Sequence, residues 1–166
     1  LEKDGEYRNM ASLFLNAEVP YKASKVLKKG FEEEIVEDSS KNWELYAGAL
    51  RQAQEIQDAI PAMEKAASKS DSGDLYARLG NIYLDADQNK KAIEAINKGL
   101  NRGGVKRPDN ARLVLGMAYF NTKQYEKARD AFRAAARDER SKKYATQWMA
   151  YMNSELERQR KLAEDV

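Results

Sequence analysis

Leu79-Gly80-Asn81-Ile82-Tyr83 is followed by Ala92-Ile93-Glu94-Ala95-Ile96, and Leu115-Gly116-Met117-Ala118-Tyr119 is followed by Ala128-Arg129-Asp130-Ala131-Phe132. Both stretches read Leu-Gly-x-x-Tyr and then Ala-x-x-x with an aliphatic or aromatic residue, at one internal spacing, 36 residues apart. Trp43-x-x-Tyr46-Ala47-x-x-Leu50 with Ala59-x-x-x-Met63 carries the same pattern 33 residues before the first of these. Tyr7-x-x-Met10-Ala11-x-x-Phe14 with Ala23-x-x-x-Leu27 repeats it by residue size. A further small position recurs at Gly30, Ala66, Gly99 and Ala135. A period of this length marks a stack of supersecondary units, each unable to bury its apolar face alone.

Each unit reads as two helices. In the third, Leu75, Leu79, Ile82 and Tyr83 make one apolar stripe over Asp74–Asp85. Asp87-Gln88-Asn89 breaks it, and Lys90–Leu100 carries Ala92, Ile93, Ile96 and Leu100 on one face. Gly103-Gly104 ends that helix, since glycine takes positive φ without steric cost. Asn121–Gln124 is the matching break in the fourth unit, and Pro108 closes a short expansion between the two. Pro20 and Pro61 are expected near the starts of second helices, where the first amides lack intrahelical acceptors. Ala11, Ala47, Gly80 and Gly116 are expected to meet Ala23, Ala59, Ala92 and Ala128, small against small, so that paired axes approach closely. The units span about 4–39, 40–72, 73–108 and 109–140. A capping helix of about 141–161 follows, its stripe of Tyr144, Trp148, Met149, Tyr151, Met152 and Leu156 resting on the fourth unit. Ala163–Val166 is expected to fray.

The chemistry that the chain lacks narrows its function. It has no Cys and no His, which removes disulfides, thiolate sites, His-dependent nucleophile systems and the commonest zinc ligand. Gly103-Gly104 has neither phosphate-loop spacing nor a preceding strand. Glu32-Glu33-Glu34 reads as a solvated helix end. No carboxylate pair is singled out for acid–base work, so no catalytic residue, cofactor or metal is expected. Net charge is +2, and neither nucleic acid nor a membrane is an expected partner. No stretch approaches the ~20 apolar residues of a membrane span. The charge is uneven, however: residues 1–72 hold 10 basic and 14 acidic side chains, residues 98–143 hold 13 and 5. Solvated faces account for this, as would a basic patch that docks an acidic partner. The chain opens Leu1-Glu2-Lys3, which reads as part of a longer protein whose upstream region could carry a targeting segment.

The four-unit pattern resembles the tetratricopeptide repeat. The resemblance implies an all-α, right-handed superhelix of about four helix pairs plus a capping helix, working as a non-catalytic scaffold for a protein or peptide. In that family the first helices of successive repeats line a concave groove. Carried over by position, the first unit would present Arg8, Ser12, Leu15 and Asn16, and the second Glu44, Arg51 and Gln52, with Gly48 leaving a dip. The third would present Asn81, Leu84 and Asp85, and the fourth Leu113, Met117, Phe120 and Asn121. Alternatively, Leu84, Leu113, Met117 and Phe120 pack against neighbouring repeats or the cap. The amides suit the backbone of an extended peptide. The subtype that clamps a chaperone's terminal carboxylate fits poorly, since Ser12 stands for an Asn and Glu44 would repel the ligand. Gly5–Phe14, Pro20-Tyr21-Lys22-Ala23 and Lys106–Asp109 are similar to repeat proteins encoded beside TonB–ExbB–ExbD systems of Gram-negative bacteria. That resemblance implies a periplasmic adaptor of TonB-dependent uptake working with envelope transport components; the alternatives are a cytoplasmic location and a structural or oligomerisation module bracing a larger complex.

Overall fold

A computed structural model describes residues 1–164, and among them no strand occurs. The helices are α1 (Asp4–Asn16), α2 (Pro20–Glu32), α3 (Ser40–Gln52), α4 (Ile56–Ser68), α5 (Asp74–Asp85), α6 (Asn89–Arg102), α7 (Pro108–Asn121), α8 (Tyr125–Ala135) and α9 (Glu139–Glu164). Consecutive helices pair as α1/α2, α3/α4, α5/α6 and α7/α8; each pair leans on the next, and α9 packs on both α7 and α8. The result is a superhelical stack whose core runs along its length. Ala163 and Glu164 continue α9 instead of fraying, and Asp165 and Val166 lie outside the described residues.

In the third and fourth pairs the small first-helix residues make room for more than the expected alanine: Gly80 does approach the Ala92 backbone, but Ile96 stands nearer still. A methyl group on Gly80 would run into Ile96, and one on Gly116 would stand 2.5–2.9 Å from the Phe132 ring. Glycine therefore admits the large residue one turn beyond the expected alanine, and Ile96 and Phe132 are fully buried. At the mouth of the third pair, Gly73 and Gly99 bring two backbones together with no room for a side chain on either.

The turn within every pair is built the same way. Glu18, Gln54, Asp87 and Lys123 all have φ near +60°. The next amide in each case reaches back five residues: Val19 to Phe14, Glu55 to Leu50, Gln88 to Tyr83 and Gln124 to Tyr119, at 2.8–2.9 Å. This is the helix-ending motif usually supplied with glycine. Here non-glycine residues take the left-handed conformation at some cost, held there by packing on both sides.

Two prolines depart from expectation. Pro61 lies inside α4, past its first turn, so the carbonyl of Gln57 loses its helical donor and the substitution is no longer free. Pro108 opens α7 at its first position and so belongs to the following helix. The cap differs as well. Ser141, Ala145 and Met152 are buried, and Trp148, Met149 and Leu156 partly so, but Tyr144 and Tyr151 remain 57% and 55% exposed. They lie on the face that α5 and α7 each turn toward their own second helix, and among the described residues no helix follows α9.

Carboxylates at the starts of first helices fasten one unit to the next. Asp4 accepts from Asn42 Nδ2 at 2.8 Å and from the Glu37 amide at 3.0 Å. Asp74 accepts from the Lys106 amide at 2.9 Å, and Asp109 from Ser141 Oγ at 2.7 Å. Hydrogen bonds from Arg107 hold the buried Asp109 carboxyl well below the usual carboxylate range, against the opposing effect of desolvation.

Gly116→Ala is expected to lower unfolding stability by about 1–3 kcal/mol in urea titration through the clash with Phe132. Gly48→Ala, whose methyl meets nothing within 4 Å, should raise it by about 0.5–1 kcal/mol. Unchanged stability in the first variant would refute the proposed packing. Because the folded Asp109 pKa is depressed, its contribution is present above the unfolded value of about 3.9 and disappears as pH falls through the folded value. Asp109→Asn should be less stable at pH 7 and lose less stability than the wild type on acidification, measured by circular dichroism.

Candidate functional site

A hollow of about 610 Å³ lies between α1, α3 and α5. Three first helices contribute to it: Arg8, Ser12 and Leu15 from α1, Glu44, Gly48, Arg51 and Gln52 from α3, and Arg78 and Asn81 from α5. Its depth follows from local sequence. Gly48 has only open space where a side chain would stand. The close packing of α3 on α4 and of α5 on α6 fixes the walls.

Most of the charge around the hollow is already paired. Arg78 Nη1 meets Glu44 Oε1 at 2.5 Å, and Arg78 Nε meets Asp74 at 3.1 Å. Arg51 Nε donates to Asp85 Oδ2 at 2.7 Å, and Arg8 Nε stands 2.8 Å from Asp4. That last contact is an ion pair without hydrogen-bond alignment, since the same nitrogen is buried without a hydrogen-bond acceptor. Arg78 thus holds the Glu44 carboxylate, so its expected repulsion of an incoming carboxylate is muted. Lys41 has no carboxylate within 4 Å among the described residues. Asn81 spends one N–H on the Ala77 carbonyl at 3.2 Å, which leaves its Oδ1 available. The chemistry on offer is amide and hydroxyl hydrogen bonding beside fixed, balanced ion pairs.

The remaining expected groove residues lie elsewhere. Asn16 sits exposed at the end of α1. Asp85 faces a neighbouring recess as the partner of Arg51. Leu84 packs between the clusters of the second, third and fourth pairs. Leu113, Met117 and Phe120 pack with Trp148, Met149 and Leu156, because α9 covers the face that they would have offered. Asn121 donates to Asn89 at 2.9 Å, which ties the fourth pair to the third. Arg78, Lys41 and Asn9 also line the hollow, at positions that the repeat pattern did not single out. A signal for Arg78 existed: Glu44–Arg78 and Arg51–Asp85 are both opposite charges 34 residues apart, one repeat period. Among the described residues no cluster of acidic side chains could hold a metal ion, and no helix is long and apolar enough to cross a membrane.

Residues 73–102 and 110–137 match the tetratricopeptide repeat family. These are the α5/α6 and α7/α8 units, whose Leu-Gly-x-x-Tyr wording is strongest. No curated protein sequence matches the chain. Among solved structures, MamA 41-end from Desulfovibrio magneticus RS-1 is similar over 99% of this chain and 91% of its own, at 22% identity and a TM-score of 0.81. YrrB, described as a TPR protein with an unusual peptide-binding site, is similar over 94% of this chain and 79% of its own, at 19% identity and a TM-score of 0.74. The C-terminal part of a TPR repeat-containing protein from Cytophaga hutchinsonii is similar over 95% and 61%, at 19% identity and a TM-score of 0.75. At these identities the likeness is one of fold: an all-helical superhelix of tetratricopeptide type.

Proposed function

We propose that this chain, with its tetratricopeptide repeats, is a non-catalytic scaffold that holds an extended segment of a partner protein in the hollow between α1, α3 and α5. Such repeats generally mediate protein–protein interaction. The observation that carries the reading is the hollow itself. It has about 610 Å³ of space, three converging helices, pre-paired charges, and the amides of Gln52 and Asn81 on its wall. Ion pairs fixed before binding need little reordering, so fewer side chains are immobilised when a ligand arrives. Asn81 and Gln52 can each pair with one peptide unit, while Leu15 and Met63 supply apolar contact. The finer reading, a periplasmic adaptor of TonB-dependent uptake, is supported by the wording of Gly5–Phe14 and Lys106–Asp109. A second reading, a structural module that pairs with another copy of itself, is favoured by the exposed Tyr144 and Tyr151 beside the half-buried Trp148 on α9.

Gly48→Trp puts an indole into the hollow from a position with open space above it, so the variant should fold. In crosslinked pull-downs from cell envelopes, it and the Gln52→Ala, Asn81→Ala double variant should both lose a partner that the wild type retains. An identical partner list would exclude this hollow as the binding surface. For the second reading, sedimentation should show a concentration-dependent dimer that Tyr144→Glu with Tyr151→Glu abolishes. A monomer across the accessible concentrations would exclude it.

A further inference from the structure

We propose that the junction between the fourth helix pair and α9 is a separate docking site for an acidic segment of a partner protein, recognised by Arg112 and Arg137. A recess of about 280 Å³ opens there, walled by Pro108, Asp109, Arg112, Ala134, Arg137 and Asp138. It lies at the edge of the stack where α8 hands over to α9, away from the hollow between α1, α3 and α5.

The charge accounting identifies what the recess lacks. Asp109, 2% exposed, accepts from Arg107 Nε at 3.0 Å, Arg107 Nη2 at 2.7 Å and Ser141 Oγ at 2.7 Å, with Arg140 at 3.5 Å. Asp138 accepts from Arg140 Nε at 3.0 Å and Nη2 at 2.7 Å. Both wall carboxylates are therefore held in two-pronged bonds by Arg107 and Arg140. Arg112 and Arg137 line the same recess with no carboxylate within 4 Å among the described residues. Four guanidinium groups thus face two carboxylates, and the surplus pair stands at a concave surface.

A guanidinium fork matches the two oxygens of a carboxylate, and such bonds are stronger than neutral ones. The 13 basic and 5 acidic residues of 98–143 add a field that draws an anion toward this half of the chain. The walls contain no aromatic ring on which a base could stack, which favours an acidic peptide over a single-stranded nucleic acid. The buried Asp109 network fixes the α7 start and the α9 start together, so the arginines project from a rigid base.

The test is fluorescence anisotropy at about 0.15 M ionic strength, where the Debye length is about 8 Å, with a labelled peptide of about eight alternating Glu and Gly residues. Arg112→Gln with Arg137→Gln should weaken binding about tenfold or more, as expected for lost charge-assisted bonds. Lys127→Gln with Arg133→Gln removes the same charge from exposed sites on α8 that do not line the recess, and should leave binding within about twofold, as exposed charges beyond a Debye length are largely screened at that ionic strength. If the double arginine variant does not fold, Arg137→Gln alone should give about a threefold loss. Equal weakening by both charge-matched pairs, or no peptide binding by the wild type, would overturn the site. So would tighter binding of an RNA octamer, or displacement of the peptide by inorganic phosphate at a lower concentration than by unlabelled peptide.

Discussion

The closest approach between paired helices constrains everything else in this molecule. Gly80 lies beneath Ile96 and Gly116 beneath Phe132, each with less room than one methyl group needs. Two large side chains thereby reach the centre of their pairs and become fully buried. Apolar burial of this kind is the main favourable contribution to folding. It also fixes the angle at which the next pair must stack, because a close-packed contact has no slack in which to slide. Where the small residue is alanine, at Ala11 and Ala47, the same interior position is still completely buried.

From that contact the order of the stack follows. Each pair is closed by a turn of one geometry, with Glu18, Gln54, Asp87 and Lys123 all held at positive φ. Three of the first helices, α1, α5 and α7, then present their opening residues to the unit after them, and Asp4, Asp74 and Asp109 accept hydrogen bonds across the junction. These bonds are directional, whereas the apolar core is not. Together they set both how tightly the units pack and in what register. The hollow between α1, α3 and α5 is a consequence: three first helices laid side by side, with Gly48 absent of side chain at the middle.

The two surfaces with binding chemistry differ in kind. The hollow is bordered by ion pairs closed across one repeat period, which presents balanced charge and spare amides. The recess beside α9 does the reverse: its carboxylates are consumed internally and its remaining arginines are not. One surface suits a neutral backbone, the other an acidic one. A scaffold with two such surfaces can hold two segments of one partner, where the second engagement benefits from the local concentration set by the first.

The sequence by itself determined the helical class, the four-unit period and the positions of the small residues, because helix pairing through glycine or alanine demands them at fixed spacing. It located Arg8, Ser12, Glu44, Arg51, Gln52 and Asn81 on one surface for the same reason: a helix repeat carries side chains of like position to like places. Only the tertiary structure decided which apolar residues were spent on packing. Leu113, Met117 and Phe120 hold groove positions in the repeat, yet α9 covers them, and a capping helix's contacts depend on how it crosses the stack. It alone placed Pro61 within α4 and put the side chains of Ile96 and Phe132 over the glycines. The free or engaged state of each charge was likewise invisible along the chain, since Arg107 and Arg112 are equal cations until Asp109 is buried beside only one of them.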